Sequence, residues 1–247
     1  MVISNTYNYL FIELPRTGTT ALSHALCEHY EGEKKLNKHT NLHQAKKQLG
    51  TDFDGYFIFS CIRHPMDRTA SIFVKYNTNY GNIRQNYFKK MNDIPRYKFI
   101  TRYIHYKTYK RVLYAQRPGM TFANYFKKYY KAPYSDWAIL DHGKMDYIIR
   151  FENLDDDFRQ VCSLIGMEWQ GEIQKRNVTS DKKGWQEYYT NELENRVKWV
   201  FSPYLQEFQY QFPGSETEPA PSFLNRLFYQ GYNLFRKVIW QYFSSGK

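Results

Sequence analysis

Cysteine is scarce in this chain: three residues, Cys27, Cys61 and Cys162, among 247. An odd, widely spaced set offers no disulfide framework, so a hydrophobic core has to hold the fold. That usage suits a reducing compartment, and a cytoplasmic location is the expectation. Cys61 lies inside an apolar run and reads as a small core residue. Long apolar runs are lacking as well, and none approaches the roughly 20 residues of a membrane-spanning helix. Residues 1–14 show no basic region ahead of an apolar stretch and no small-residue cleavage pattern, so no secretory leader is expected. There is no internal repeat. Metal-ligand spacing is also missing; a His39–His43 pair comes nearest, and no metal is expected. Acidic residues are outnumbered, 24 against 35 Lys and Arg, for a formal net charge of +11. This excess favours anionic partners (nucleotides, acidic or sulfated glycans, nucleic acid, anionic lipid), or it serves solubility alone.

Aromatics are abundant at 19%, with 24 Tyr and 18 Phe. Tyrosine is amphipathic, so this content coexists with a mean hydropathy of −0.73. A disordered chain would be poor in aromatics, so a folded α/β chain with a sizeable core is expected.

Tyr9 to Leu14 is a short apolar run ending at Pro15 and predicts a buried strand. Ala21, Leu22, Ala25 and Leu26 follow at helical spacing. Asn41 to Leu49 predicts a helix stopped by Gly50. Tyr56 to Ile62 predicts a second strand running into Arg63-His64-Pro65, with a helix from Met66 to about Tyr76. Asp146 to Phe151 predicts a third strand. The helix from Leu154 to Ile165 carries Asp155, Asp156 and Asp157 in its first turn, where they would compensate the helix dipole. Another helix is expected from about Thr190 to Val200. Near-continuous apolar strands alternating with helices argue for a parallel sheet covered on both faces. Residues 77–135 are rich in Tyr, Lys and Arg, lack strong strand signals and read as a helical insert. Residues 215–222 are linker-like. Beyond them Leu224, Leu227, Phe228, Gly231, Phe235, Val238, Ile239 and Tyr242 share one face of a helix over 223–247.

The loop Pro15-Arg16-Thr17-Gly18-Thr19-Thr20 joins a buried strand to a helix. Such a loop aims backbone N–H groups at the positive end of the helix dipole, which is an anion site. Gly18 permits close approach, Thr19 and Thr20 add hydroxyls, and Arg16 adds a planar cation. The Walker pattern G-x-x-x-x-G-K-[ST] is not met: Glu13 stands at the first glycine and Thr19 at the lysine. An ordinary tight turn before a Thr-rich helix start is the bland alternative.

At this point the chain resembles the PAPS-dependent sulfotransferases, where PAPS is 3′-phosphoadenosine 5′-phosphosulfate, and in particular the Golgi-type carbohydrate enzymes and their bacterial relatives. The resemblance rests on two motifs in order, each after a buried strand, and extends over about residues 8–212. The first is P-[KR]-x-G-[ST]-[ST], here Pro15 to Thr20, which in the family grips the 5′-phosphosulfate. The second is R-[DN]-P-x-x-R-x-x-S, here Arg63 to Ser71, with His64 departing from the usual acidic or amide residue. The resemblance assigns Arg63 and Ser71 to the 3′-phosphate. Lys182-Lys183-Gly184 is similar to the family's basic loop over the nucleotide, Asp146 to Leu154 to its late strand and turn, and Trp137 to Gly143 to the segment before that. The implied fold is α/β and P-loop NTPase-like, three layers with a central parallel sheet and a helical aromatic and basic insert. A single domain over 1–214 is implied, with 77–135 on the acceptor side.

Sulfuryl transfer to a hydroxyl needs a base near the acceptor and cationic or N–H donors at the leaving oxygen. Arg16 and the N–H groups of residues 17–20 are expected to serve the leaving group, leaving the product PAP. His39, in Lys38-His39-Thr40-Asn41, is the expected base, because a histidine between the two motifs resembles the uronosyl 2-O-sulfotransferases and its pKa suits the task. Glu13 and Glu28 are the alternatives. The insert, with Tyr76, Tyr80, Arg84, Lys89, Lys90, Arg96, Arg102, Tyr106, Lys107 and Arg111, is expected to shape the site of a hydroxyl acceptor, preferentially a saccharide, with a lipid or small alcohol as alternative and no nucleic acid partner. The C-terminal helix suits a membrane surface, its own domain or self-association. A P-loop nucleotide kinase and a non-enzymatic polyanion binder are the competing readings of the whole.

Overall fold

A computed structural model describes residues 1–50, 53–95, 99–135, 142–173, 184–215 and 217–242. The chain forms two compact units. One comprises Met1–His64 and Asp136–Val178, the other Pro65–Ser135 and Thr179–Lys247. The chain is thus mixed α/β, and among the described residues it has a four-stranded sheet and nine α-helices.

The first unit holds the sheet, in the order β1 (Val2–Ser4), β2 (Tyr9–Ile12), β3 (Phe57–Ile62), β4 (Tyr147–Arg150). β2, β3 and β4 run parallel, with Tyr9 opposite Phe57 and Phe59 opposite Tyr147. These are the three runs expected from the sequence, and β2 is buried at every position, as a strand covered on both faces requires. β1 was not expected. It is a three-residue strand that pairs antiparallel with β2 through a turn in which Asn8 is left-handed. Three residues are too few to show a period. The outer edge of β1 is not left bare, because Ile3 and Glu33 exchange backbone hydrogen bonds of 3.0 and 2.8 Å.

Three helices complete this unit. α1 (Thr19–His29) buries Leu22 and Leu26 in a core shared with Tyr9, Phe11, Phe59, Ile149 and Phe158. α2 (Leu42–Leu49) begins with a capping box between Asn41 and Gln44 and ends on left-handed Gly50. α7 (Leu154–Leu164) carries the three aspartates. Two of them do more than balance a dipole: Asp157 accepts the Arg150 N–H at 2.6 Å and Asp155 the Ile173 N–H at 2.8 Å. They tie the helix to the end of β4 and to the chain returning from it. Cys61 is buried in the core, which drives its thiol pKa well up and leaves it inert.

The second unit contains the remaining helices: α3 (Pro65–Asn77), α4 (Ile83–Asp93), α5 (Phe99–Ala115), α6 (Phe122–Tyr129), α8 (Glu194–Glu207) and α9 (Phe223–Tyr242). Its core is aromatic. Phe126 stacks on Tyr130 and Phe201 at 5.0 and 5.7 Å, and Tyr189 packs edge-on against Phe122 at 4.9 Å. The expected helix over 190–200 starts later and runs further, because a 3₁₀ turn over Asn191–Leu193 precedes α8.

α8 contains Pro203, which cannot donate to the Trp199 carbonyl one turn back. The side-chain amide of Asn225, itself buried, takes that carbonyl at 2.9 Å. A defect in one helix is thereby the docking point of the next. Asn225→Ala leaves the carbonyl without this donor and is expected to cost about 1–3 kcal/mol in a denaturant titration. With Pro203→Ala also present, the restored N–H can serve the same carbonyl, so the double variant should lose less than the sum of the two single changes.

Candidate active site

The loop after β2 is shaped by two residues in the left-handed region, Arg16 (φ 65°) and Gly18 (φ 78°). Gly18 is the N-cap of α1, and its carbonyl accepts the first helical N–H, from Ala21, at 3.0 Å. The N–H groups of Thr19 and Thr20, ahead of that bond, have no acceptor within the helix and form its anion-attracting end. The threonines divide their work in a way the sequence did not reveal. Thr17 and Thr19 are buried and both hydroxyls donate to the Leu14 carbonyl, at 3.2 and 2.8 Å. They therefore hold the loop closed, and what they offer an anion is their backbone. Thr20 is exposed, and its hydroxyl accepts from the Lys38 ammonium at 2.7 Å.

Lys38 and His39 reach the loop from a tight turn over residues 37–40. Within it the Thr40 hydroxyl donates to Asn37 O at 2.7 Å and His39 is itself left-handed, φ 70°. An imidazole held at such a backbone angle is uncommon and marks a position defined by its surroundings. His39 Nδ1 lies 2.8 Å from the Glu13 carbonyl oxygen. A carbonyl can only accept, so Nδ1 carries the proton and the basic lone pair belongs to Nε2. Burial lowers the His39 pKa, and the charge of Lys38 lowers it further, against the opposing pull of the Glu13 carbonyl. The ring is therefore neutral at pH 7.

Glu13 follows β2 directly, two residues ahead of Pro15, and is only 3% exposed. Its carboxylate accepts from the Met1 amino group and, at 2.5 Å, from the Ser23 hydroxyl on α1; Lys38 Nζ stands 3.9 Å away. Burial raises its pKa, but these hydrogen bonds and charges outweigh burial and hold it below the usual carboxylate range. With both oxygens engaged, Glu13 is built as an anchor. Glu28 pairs with His24 at 2.5 Å on the last turn of α1, nine residues and about 13 Å along the axis from the loop. Of the three candidate bases, His39 is the one whose ring stands beside the loop.

Arg63 follows β3 directly. Its guanidinium lies 4.4 Å over the Phe151 ring, in the 3₁₀ turn that succeeds β4. Phe151 also covers Gly18: a Cβ there would sit 2.6 Å from Phe151 Cδ2. One phenyl ring thus separates and spaces the two motif positions at the ends of adjacent strands, where open sheets place ligands. The His64 N–H donates to Glu152 at 2.7 Å, which fixes the turn that carries Arg63. Phe151, Glu152 and Lys38 were not singled out from the sequence. Lys38 had a signal, since it adjoins His39 and the loop lacks a lysine of its own; Phe151 had none.

Ser71 lies two turns into α3 in the second unit and is buried. Arg68, between the two motif ends, is also buried and donates to the Tyr134 hydroxyl at 2.6 Å, a packing role. Gly184 caps the 3₁₀ turn Trp185–Tyr188, whereas Lys182 and Lys183 lie outside the described residues. In the insert, Arg111 is not a surface cation. Its guanidinium sits 4.8–5.5 Å over the rings of Tyr125, Tyr129 and Tyr130 and donates to the Tyr125 hydroxyl at 3.0 Å. Among the described residues no group of three or more His, Cys, Asp or Glu is arranged to hold a metal ion.

A family model described as the sulfotransferase family matches residues 1–236. The chain belongs to the sulfotransferase family. No curated protein and no solved structure matches it. Membership implies PAPS as the sulfuryl donor and a hydroxyl-bearing acceptor.

The loop of this sulfotransferase depends on Gly18 twice, for its φ and for the space that Phe151 fills. Gly18→Ala is expected to keep the chain folded with a lowered melting temperature, since a left-handed alanine costs about 1 kcal/mol before any clash. Displacement of Phe151 should also reduce anion binding at the loop, measured by titration with PAP, by more than about tenfold, or ~1.4 kcal/mol.

Proposed function

We propose that this sulfotransferase moves the sulfuryl group of PAPS to a hydroxyl by in-line displacement, with the P-loop-like turn over residues 15–20 on the 5′-phosphosulfate and His39 as general base. One observation supports the reading above the others. The open N–H groups of the first turn of α1, the Lys38 ammonium and the neutral His39 ring converge at one end of one helix, all within the first unit. PAPS, when bound, supplies an activated sulfuryl group on a phosphate leaving oxygen.

The residues divide the work as follows. His39 Nε2 takes the proton from the acceptor hydroxyl, and its tautomer is set by the Nδ1–H bond to Glu13 O. Arg16 and the N–H groups of residues 17–20 stabilise the charge that develops on the leaving oxygen. Lys38 brings an ammonium to Thr20, next to Thr19, which stands where a Walker loop carries a lysine of its own. Arg63, its plane held against Phe151, is assigned to the 3′-phosphate. For Ser71, Lys182, Lys183 and Gly184 the assignment to the nucleotide stands on family resemblance alone, as does the three-layer, P-loop type of the fold within a domain over 1–214.

The acceptor is proposed to be a saccharide. The second unit exposes tyrosines beside cations, with Lys107 Nζ 4.9 Å over Tyr103 and Lys110 Nζ 5.6 Å over Tyr106, both tyrosines more than two-fifths exposed. Aromatic faces with adjacent cations suit sugar rings that bear acidic groups.

Transfer of label from PAPS across a panel of saccharides, lipids and small alcohols tests the reaction and its acceptor class together. His39→Ala is expected to reduce turnover by about 10²–10⁴-fold, with PAP affinity changed by less than threefold, or ~0.7 kcal/mol; near-normal turnover would remove His39 from the mechanism. Because the His39 pKa is lowered, the base form persists as pH falls. The acid limb of kcat/KM should therefore lie below the ordinary imidazole value of 6.5 and vanish from the residual activity of His39→Ala.

A further inference from the structure

α9 is attached to its unit by the wrong face for an ordinary amphipathic helix. Asn225 donates to Trp199 O, Tyr229 to Glu207, and Arg236 to Ser135 O at 2.6 Å, while Asn233 pairs with the Ser135 hydroxyl. At about 100° per residue these four share one side of the helix. The opposite side is apolar and uncovered: Phe223, Leu224, Leu227, Phe228, Leu234 and Phe235 are each more than half exposed. A helix that packed for its own stability would bury these residues and turn the polar ones outward.

The charge pattern says what covers this face. Between 223 and 242 there are three cations, Arg226, Arg236 and Lys237, and no acidic residue. Arg236 is used in docking. Arg226 and Lys237 lie along one margin of the apolar face. A second copy of α9 would bring this margin to a surface with no acid on the helix to meet it, whereas a bilayer bearing anionic headgroups answers both features. No described helix is long and apolar enough to cross a membrane.

We propose that α9 seats the protein on an anionic membrane surface, its apolar side chains in the headgroup–acyl boundary and Arg226 and Lys237 at the headgroups. The placement is independent of the sulfuryl-transfer reading.

The test is co-sedimentation of the full chain with vesicles of phosphatidylcholine, alone or with about one part in three of phosphatidylglycerol. The expected result is binding to the anionic vesicles, roughly 30-fold weaker to the neutral ones, since each of two cations contributes about fivefold. Leu234→Glu with Phe235→Glu should weaken binding more than tenfold, or more than ~1.4 kcal/mol, with the circular dichroism spectrum retained. Should that variant not fold, Arg226→Glu with Lys237→Glu, at an exposed and a half-buried position of the margin, should abolish the preference for anionic vesicles. Failure of the intact chain to sediment with either vesicle would overturn the proposal, whether light scattering then shows a monomer or a dimer that would explain the covered face. So would binding that both variants leave unchanged.

Discussion

The buried Glu13 is the constraint on which the site rests. Its carboxylate engages Met1 ahead of β1 and Ser23 in α1, with Lys38 nearby, and its carbonyl engages His39. Three segments distant in sequence are therefore fixed to a residue just ahead of the loop. A carboxylate taken out of water is costly unless its oxygens are hydrogen-bonded and its charge is answered. The hydrogen bonds and cations around Glu13 outweigh that cost, which is why its pKa falls despite burial. The same arrangement orients the His39 ring and sets its tautomer. In the proposed mechanism, structural and catalytic requirements meet in this one residue.

Much of this was legible in the sequence, for identifiable reasons. The runs at Tyr9 and Tyr56 could be read as strands because strands buried on both faces are continuously apolar, and the 15–20 loop stands out because a glycine and threonines follow such a strand. His39 was singled out through its position between two motifs, and its ring stands beside the loop. The threonine hydroxyls misled: composition suggests donors for a ligand, but the chain's own Leu14 carbonyl takes Thr17 and Thr19. Arg111 misled similarly, since a basic residue among tyrosines reads equally as surface or as cage, and here it is caged. Phe151 had no signal at all. Its role is to fill the space that Gly18 leaves and to support Arg63 from the other side, which is visible only in three dimensions.

The hydrogen bond from Asn225 to the Trp199 carbonyl shows the same economy in the second unit. A proline in α8 creates an unanswered carbonyl, and a buried amide of α9 answers it. The sequence showed the amphipathic stripe of α9 and left open which side would face inward. These contacts settle the orientation: the polar stripe is committed to α8 and Ser135, and the apolar stripe is left for another surface.

In the proposed function, a phosphate loop without its own lysine, supplied by Lys38 and paired with Arg63, selects a 3′,5′-bisphosphate nucleotide over a nucleoside triphosphate. Calorimetric titration of the intact chain with PAP, ATP and a heparin fragment in turn tests this directly. Saturable binding of PAP, lost on Arg63→Ala, is expected, with none of ATP at the same concentrations. Binding of ATP as tight as that of PAP, or binding of heparin alone, would contradict it.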